Sequence, residues 1–196
     1  DHTGPIGEHE KYAARVFGAH RTYCVTNGTS TSNRLIMTAA VARDQIALCD
    51  RNCHKSIEHG LVLTGGVPTY LVPLRNRYGI IGPIPPERLG KTAIQAAIKA
   101  NPLVAKNTER RPVYSVVTNS TYDGLCYNVD GIKQSLGKAV DILHFDEAWY
   151  AYANFGWAPF EGCVQGPIKY VRSRHERLFD RAADPAERVN LFGGDT

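Results

Sequence analysis

Two acidic residues and several aromatic residues follow the last clear apolar run of the sequence. They belong to the segment HFDEAWYAYANF (144–155), which comes after the apolar run at 139–143. A carboxylate at the C-terminal end of a buried strand is either a solvated strand end or directed at a ligand. Because adjacent strand residues face opposite sides, Asp146 and Glu147 cannot form a catalytic acid–base pair. We expect only one of them to face a site.

A second candidate site is the turn NGTSTS (27–32), which joins a predicted strand to a predicted helix. Gly28 permits a tight turn, and the hydroxyl groups of Thr29 and Ser30 can cap the helix. The N–H groups and the dipole at a helix N-terminus also favour an anion such as phosphate. The turn alone is compatible with either a plain cap or a phosphate site. It is not a Walker A loop, because no Gly-Lys-Ser/Thr follows.

Cysteine and histidine residues cluster at 49–59, in the segment CDRNCHKSIEH. A zinc site built from Cys49, Cys53, His54 and His59 is an alternative, but the spacing between the cysteines is loose and Cys49 belongs to a predicted strand. No metal site is therefore predicted. His54 lies at a strand-to-helix turn, where its ring could stack over a flat ligand. A plain surface histidine is the other interpretation.

Predicted helices and strands alternate along the chain and place these candidates on loops. The helices are predicted at 8–19, 34–42, 54–63, 86–100 and 129–136, and the strands at 22–26, 45–49, 68–74, 113–117 and 140–145. This alternation predicts an α/β fold with a mainly parallel sheet and helices on both faces. Ligands of such sheets bind outside the carboxyl ends of the strands. The candidates at 28–30, 50–54, 118–123 and 146–149 all lie at such ends.

The composition is that of an ordinary globular protein. Its 196 residues are enough for one domain, with 43% hydrophobic and 21% charged residues. The net charge of +4 is spread along the chain, so no nucleic-acid partner is predicted. An odd number of cysteines, five, favours free thiols. Without a membrane-length apolar run or a signal peptide, the chain is expected in the cytoplasm, with no membrane partner.

Five segments occur in an order that is typical of one family: DHTGPIGEHEKYAARVFGAHRTYCVTNGTSTSNR, CDRNCHKSIEHGLVLTGGVPTYL, RNRYGIIGPI, VVTNSTYDGLCYN and HFDEAWYAYANF. Together they closely resemble the bacterial Orn/Lys/Arg decarboxylases, which are pyridoxal-phosphate-dependent enzymes with the aspartate-aminotransferase fold (fold type I). The resemblance extends from Asp1 to about Phe155. The segments at 75–84 and 146–149 are more similar to the biodegradative, acid-inducible arginine decarboxylases than to the lysine enzymes.

The resemblance implies roles for the candidate residues. His54 would stack on the pyridine ring, and Asp146 would pair with the ring nitrogen and keep it protonated, so these two are the catalytic candidates. The other cofactor contacts would come from Gly28, Thr29 and Ser30 at the phosphate, Ser120 near the rim, Ala148 against the other ring face, and Trp149 beside the cofactor. Glu147 would point away from the ring.

The implied reaction is decarboxylation of a basic amino acid, with arginine to agmatine as the leading choice and lysine or ornithine as alternatives. Each turnover consumes a proton, so acid resistance is the implied physiology. Relatives build their sites at a dimer interface, so a homodimer that assembles into a larger oligomer is expected.

The family's Ser-x-His-Lys motif, whose lysine forms a Schiff base with the cofactor, does not occur in the sequence. Lys169 is the only lysine after Asp146, and its surroundings do not match the motif. We therefore expect a partial cofactor-binding large domain at 1–155 and a divergent or truncated segment at 156–196. The chain is expected to be an excised piece of the large domain. The alternative is a catalytically inactive cofactor-binding or assembly module.

Overall fold

The computed structural model describes residues 2–104 and 111–149, together with the backbone of three strands between residues 161 and 180. The chain divides into two compact units, Asp1–Ala148 and Trp149–Thr196. The domain boundary predicted after Phe155 lies outside the described residues.

The first unit begins with two helices, after which strands and helices alternate. In chain order the elements are α1 (Gly4–Phe17), α2 (Thr29–Ala40), β1 (Ile46–Asp50), α3 (Lys55–Thr64), β2 (Val67–Leu71), α4 (Lys91–Ala100), β3 (Tyr114–Thr118), α5 (Val129–Leu136) and β4 (Ile142–Asp146). The four strands are parallel and lie in the order β2-β1-β3-β4. This confirms the predicted α/β fold with a parallel sheet.

Helices cover both faces of this sheet because alternate strand residues point to opposite sides. On one face, Ile46 and Leu48 of β1 belong to a core cluster with residues of α4 and α5. On the other face, Ala47 and Cys49 belong to a cluster with residues of α2 and α3. The helices contribute apolar residues at i and i+4, such as Ile57 and Leu61 in α3. β1 is therefore buried on both faces, as expected of a central parallel strand.

Most predicted elements form with shifted bounds; α1 and α2, for example, begin at Gly4 and Thr29 and not at residues 8 and 34. Two predictions differ more. The strand predicted at 22–26 does not form. Its residues bond to α1 instead: Thr22 Oγ1 donates to the carbonyl oxygen of Glu10, and the Cys24 N–H donates to the Glu10 carboxylate. The helix predicted at 86–100 begins at Lys91 and is preceded by a short 3-10 turn, Pro86–Arg88. Gly90 separates the two with an extended backbone.

The second unit contains a three-stranded antiparallel sheet. Its strands are β5 (Glu161–Gln165), β6 (Ile168–Arg172) and β7 (Arg177–Asp180), with β6 in the middle. Lys169 lies in β6, opposite Val164 and Phe179. Within the residues that the structure describes, no helix is both long and apolar enough to cross a membrane.

Candidate functional site

The carboxyl ends of three adjacent strands form the scaffold of the site. β1 ends at Asp50, β3 at Thr118 and β4 at Asp146. Asp50 joins the first two strands, because it accepts hydrogen bonds from the N–H groups of Asn52 at 2.9 Å and Thr118 at 3.3 Å. Burial raises the pKa of Asp50, and these two hydrogen bonds partly offset that effect. Asp50 therefore fixes the strand ends from which the loops of the site begin.

Asp146 and His54, the two catalytic candidates, are connected by a buried hydrogen-bond network. The side-chain nitrogen of Asn33 donates to Asp146 Oδ2 and to Ser56 Oγ, each at 2.9 Å. Ser56 Oγ in turn lies 2.9 Å from His54 Nδ1. Asn33, Ser56 and Asp146 are buried, and His54 is half-buried. The network thus joins α2, α3 and the end of β4.

The two carboxylate oxygens of Asp146 differ in their hydrogen bonding. No donor within the described parts of the chain bonds to Asp146 Oδ1. The only fully buried side-chain polar atom that lacks a hydrogen bond among those residues is Ser115 Oγ, so Oδ1 retains some access to solvent. An accessible carboxylate oxygen whose partner oxygen is already fixed is well suited to bind a cationic N–H group.

His54 is the N-cap residue of α3, and its ring is held by Ser56. Nδ1 accepts a hydrogen bond from the Ser56 N–H at 3.2 Å. The neutral ring consequently carries its hydrogen on Nε2, an assignment that rests on this hydrogen-bond pattern. The cap fixes the orientation of the imidazole ring, as stacking on a flat ligand requires.

The turn at Gly28 leads into α2, the helix that carries Asn33. Gly28 has a φ of 80°, a conformation that favours glycine, and it is the N-cap residue of α2. No side chain caps this end of the helix within the described residues. The predicted alternative, a cap by nearby hydroxyl groups, is therefore not what the structure shows. Thr29 and Ser30 form the first turn, so this N-terminus can receive an anion.

The two adjacent acids have different partners. Glu147 accepts a hydrogen bond from Asn119 Nδ2 at 2.7 Å, whereas Asp146 is bonded through Asn33. Asn119 also accepts a hydrogen bond from the Tyr127 N–H at 2.7 Å. Glu147 is exposed and Asp146 is buried. The structure therefore contains no acid–acid pair at this strand end.

The remaining candidates lie in different surroundings. Ser120 is buried in the loop after β3, and Ala148 is exposed just after β4. Trp149 is exposed and belongs to the second unit. A cavity of about 730 Å³ next to α2 is lined by the segment 21–27 and by α2 residues, and its lining includes neither Asp146 nor His54.

The zinc alternative has no support in the described residues, where no group of three or more His, Cys, Asp or Glu side chains is placed to bind a metal ion. Cys49 is buried in β1, and burial raises its pKa. Burial likewise raises the pKa of Cys53 to about 12. The burial of both thiols disfavours the thiolate, the form that binds zinc.

The sequence pattern included Asp50 only within the candidate loop 50–54, and it did not single out Asn33 or Ser56 as site residues. Asn33 carries a weak signal, because an asparagine precedes Met37 by one turn on the buried face of α2. Ser56 resembles an ordinary first-turn serine. Their partners lie on other elements, and 113 residues separate Asn33 from Asp146.

Comparisons with known proteins identify the family. Residues 1–167 match the family model described as Orn/Lys/Arg decarboxylase, major domain. Over 155 residues the chain is 57% identical to lysine decarboxylase LdcA of Pseudomonas aeruginosa and 56% identical to the biodegradative arginine decarboxylase of Escherichia coli. Each match covers 79% of this chain and 20% of the relative, so the chain spans about a fifth of the length of these curated relatives. The two identities are nearly equal and favour neither substrate.

The fold also matches that of a solved decarboxylase structure. Lysine decarboxylase A from Pseudomonas aeruginosa matches with a TM-score of 0.75 at 56% identity, over 79% of this chain and 21% of that chain. The predicted large-domain fold is thereby confirmed.

Proposed function

The chain belongs to the Orn/Lys/Arg decarboxylase family, and from this we propose that it provides the cofactor-binding part of an enzyme that decarboxylates a basic amino acid. Enzymes of this family depend on pyridoxal 5′-phosphate, a flat pyridine ring with a ring nitrogen at one side and a phosphate group at the other. A site for this cofactor must bind an anion, a ring face and a protonated nitrogen.

The accessible oxygen of Asp146 is the observation that carries the proposal. Asp146 Oδ2 is fixed by Asn33, and Oδ1 has no donor within the described residues. A carboxylate in this state would bind the ring N–H and stabilise the proton on that nitrogen. His54 belongs to the same hydrogen-bond network and would pack against the ring.

The first turn of α2 fits the phosphate. It carries Thr29 and Ser30 and has no side-chain cap in the described part of the chain. Because these residues precede Asn33 by about one turn, the anion site and the anchor of Asp146 belong to one helix. We also assign cofactor contacts to Gly28 in the turn, to Ser120 near the rim, to Ala148 on the second ring face and to Trp149 beside the ring.

The chemistry divides between cofactor and protein. When bound, the cofactor supplies an electron sink for the electron pair that remains when carbon dioxide leaves. Asp146 would strengthen that sink by holding the proton on the ring nitrogen. The buried side chains of Asn33 and Ser56 would hold Asp146 and His54 in place, so that little reorganisation is needed during the reaction.

Arginine is the substrate that we propose, with agmatine as the product. The segments at 75–84 and 146–149 support this choice, and lysine and ornithine are the alternatives. Replacing a carboxylate by hydrogen consumes one proton and releases carbon dioxide, so the reaction would serve acid resistance. The proposed setting is the cytoplasm, in a homodimer that assembles further.

The test is carbon dioxide release from carboxyl-labelled arginine, lysine and ornithine by the protein supplied with pyridoxal phosphate. Faster release from arginine would support the proposal, and a preference for either other amino acid would correct the substrate. Cofactor binding without release from any of the three would instead favour a non-catalytic cofactor-binding module.

A further inference from the structure

Asn33 is a buried polar residue in the middle of the amphipathic helix α2, and its side chain bonds to both Ser56 and Asp146. The residue is 2% exposed, and its side-chain nitrogen donates to two acceptors on two other elements. One acceptor is a carboxylate, which only accepts, so the NH₂ group and not the carbonyl oxygen must face it. Each of the two amide hydrogens therefore has its own acceptor.

The second acceptor, Ser56 Oγ, connects Asn33 to His54. Ser56 Oγ accepts from Asn33 and has a single hydrogen of its own to donate. His54 Nδ1 accepts a hydrogen bond from the Ser56 N–H, so this nitrogen carries no hydrogen. The 2.9 Å contact between Ser56 Oγ and Nδ1 therefore requires the hydroxyl to donate. The direction of every bond in the network is consequently set by the Asn33 amide at one end and by the α3 cap at the other.

We propose that Asn33 is a positioning residue that sets the orientations of Asp146 and His54 together. By holding Asp146 Oδ2, it leaves Oδ1 for a ligand, and by donating to Ser56 Oγ it directs the Ser56 hydroxyl hydrogen to His54 Nδ1. The effect of Asn33 on cofactor binding rests on the proposed function. Its effect on the orientations of Asp146 and His54 does not.

Neither aspartate nor alanine at this position reproduces the arrangement. An aspartate has the same shape but no donor, and it would place a second carboxylate against Asp146. An alanine would leave two buried acceptors without a partner, since both Ser56 and Asp146 are almost fully buried.

The experiment compares Asn33→Ala with Ser56→Ala and with Thr38→Ala, a control at an exposed position of α2. In the cofactor-free protein, NMR would report the His54 Nδ1 signal, which shifts when its bond to the Ser56 hydroxyl changes, and the carboxyl signal of Asp146. We expect Asn33→Ala to change both signals, Ser56→Ala to change the His54 signal alone, and Thr38→Ala to change neither. Unchanged His54 and Asp146 signals in Asn33→Ala would overturn the proposal.

A second readout is the affinity for pyridoxamine 5′-phosphate, whose amine cannot condense with surface lysines. Asn33→Ala should weaken binding by about 10- to 100-fold, the usual effect of losing a hydrogen bond to a charged group. If the unchanged protein does not bind this compound but the NMR changes occur, the proposed function fails and the role of Asn33 stands. Should Asn33→Ala fail to fold by circular dichroism, an unchanged His54 signal in Ser56→Ala would still refute the network.

Discussion

A methyl group added at Gly60 should separate the two helices that carry the network. Gly60 lies in α3, and a Cβ atom at this position would lie 2.5 Å from Met37 Sδ and 3.1 Å from Met37 Cβ in α2. Met37 is fully buried, so its side chain has no exit to solvent. Because α2 carries Asn33 and α3 carries Ser56, this close contact sets the spacing on which their hydrogen bond depends.

The size of the effect follows from two opposing contributions. Overpacking of a core costs about 1–3 kcal/mol, while replacing glycine by alanine inside a helix gains about 1 kcal/mol. Gly60→Ala should therefore lower the free energy of unfolding by about 1 kcal/mol. In a Met37→Ala background the sulfur is gone and only the 3.1 Å contact with the Cβ atom of residue 37 remains, so the gain in helix propensity should roughly cancel the remaining overpacking. The expected coupling between the two sites is about 1 kcal/mol.

Urea unfolding followed by circular dichroism measures these values. Gly131→Ala in α5 is the matched control, because a Cβ there would meet only the Asn128 side chain, at 3.8 Å. It should stabilise the protein in either background. If Gly60→Ala stabilises the protein with Met37 present, as the control does, α2 and α3 do not touch as described and the reasoning is wrong.

Two further predictions concern buried polar groups. Ser115→Ala should raise the free energy of unfolding by about 1 kcal/mol, because the fully buried Ser115 hydroxyl lacks a partner among the described residues. Denaturant titrations measure this change, and a loss of stability would show that the hydroxyl is bonded. Burial lowers the pKa of His144, so its ring should titrate below about 6.5 by NMR. The unfolded chain then binds the proton first as the pH falls, and stability should decrease from about pH 6.5 downwards; a His144 pKa at or above the ordinary value would contradict this.

The fold could be predicted because its signals are local. The helix predicted at 129–136 forms with the same bounds, since Asn128 caps it and Ile132 and Leu136 repeat at helical spacing. The strand predicted at 22–26 is wrong for the opposite reason. Its residue types favour a strand, but the segment bonds to Glu10 of α1, which a local pattern does not reveal.

The site was predictable only in part. Parallel strands bring their carboxyl ends together, so the sequence indicates where Asp146 and His54 lie. It does not contain the link between them, because Asn33 and Ser56 act through contacts across 113 and 23 residues. The sequence does not distinguish arginine from lysine as the substrate either, because a lysine and an arginine decarboxylase are 57% and 56% identical to the chain.

The most direct test of the account compares two neighbouring acids in the binding of pyridoxamine 5′-phosphate by isothermal titration calorimetry. Asp146→Asn removes the charge that we assign to the ring nitrogen, and Glu147→Gln makes the same change at the next residue, whose partner is Asn119. We expect affinity to fall by about 10-fold or more in Asp146→Asn and to change little in Glu147→Gln. Equal affinities in the two variants, or a larger loss for Glu147→Gln, would contradict this expectation.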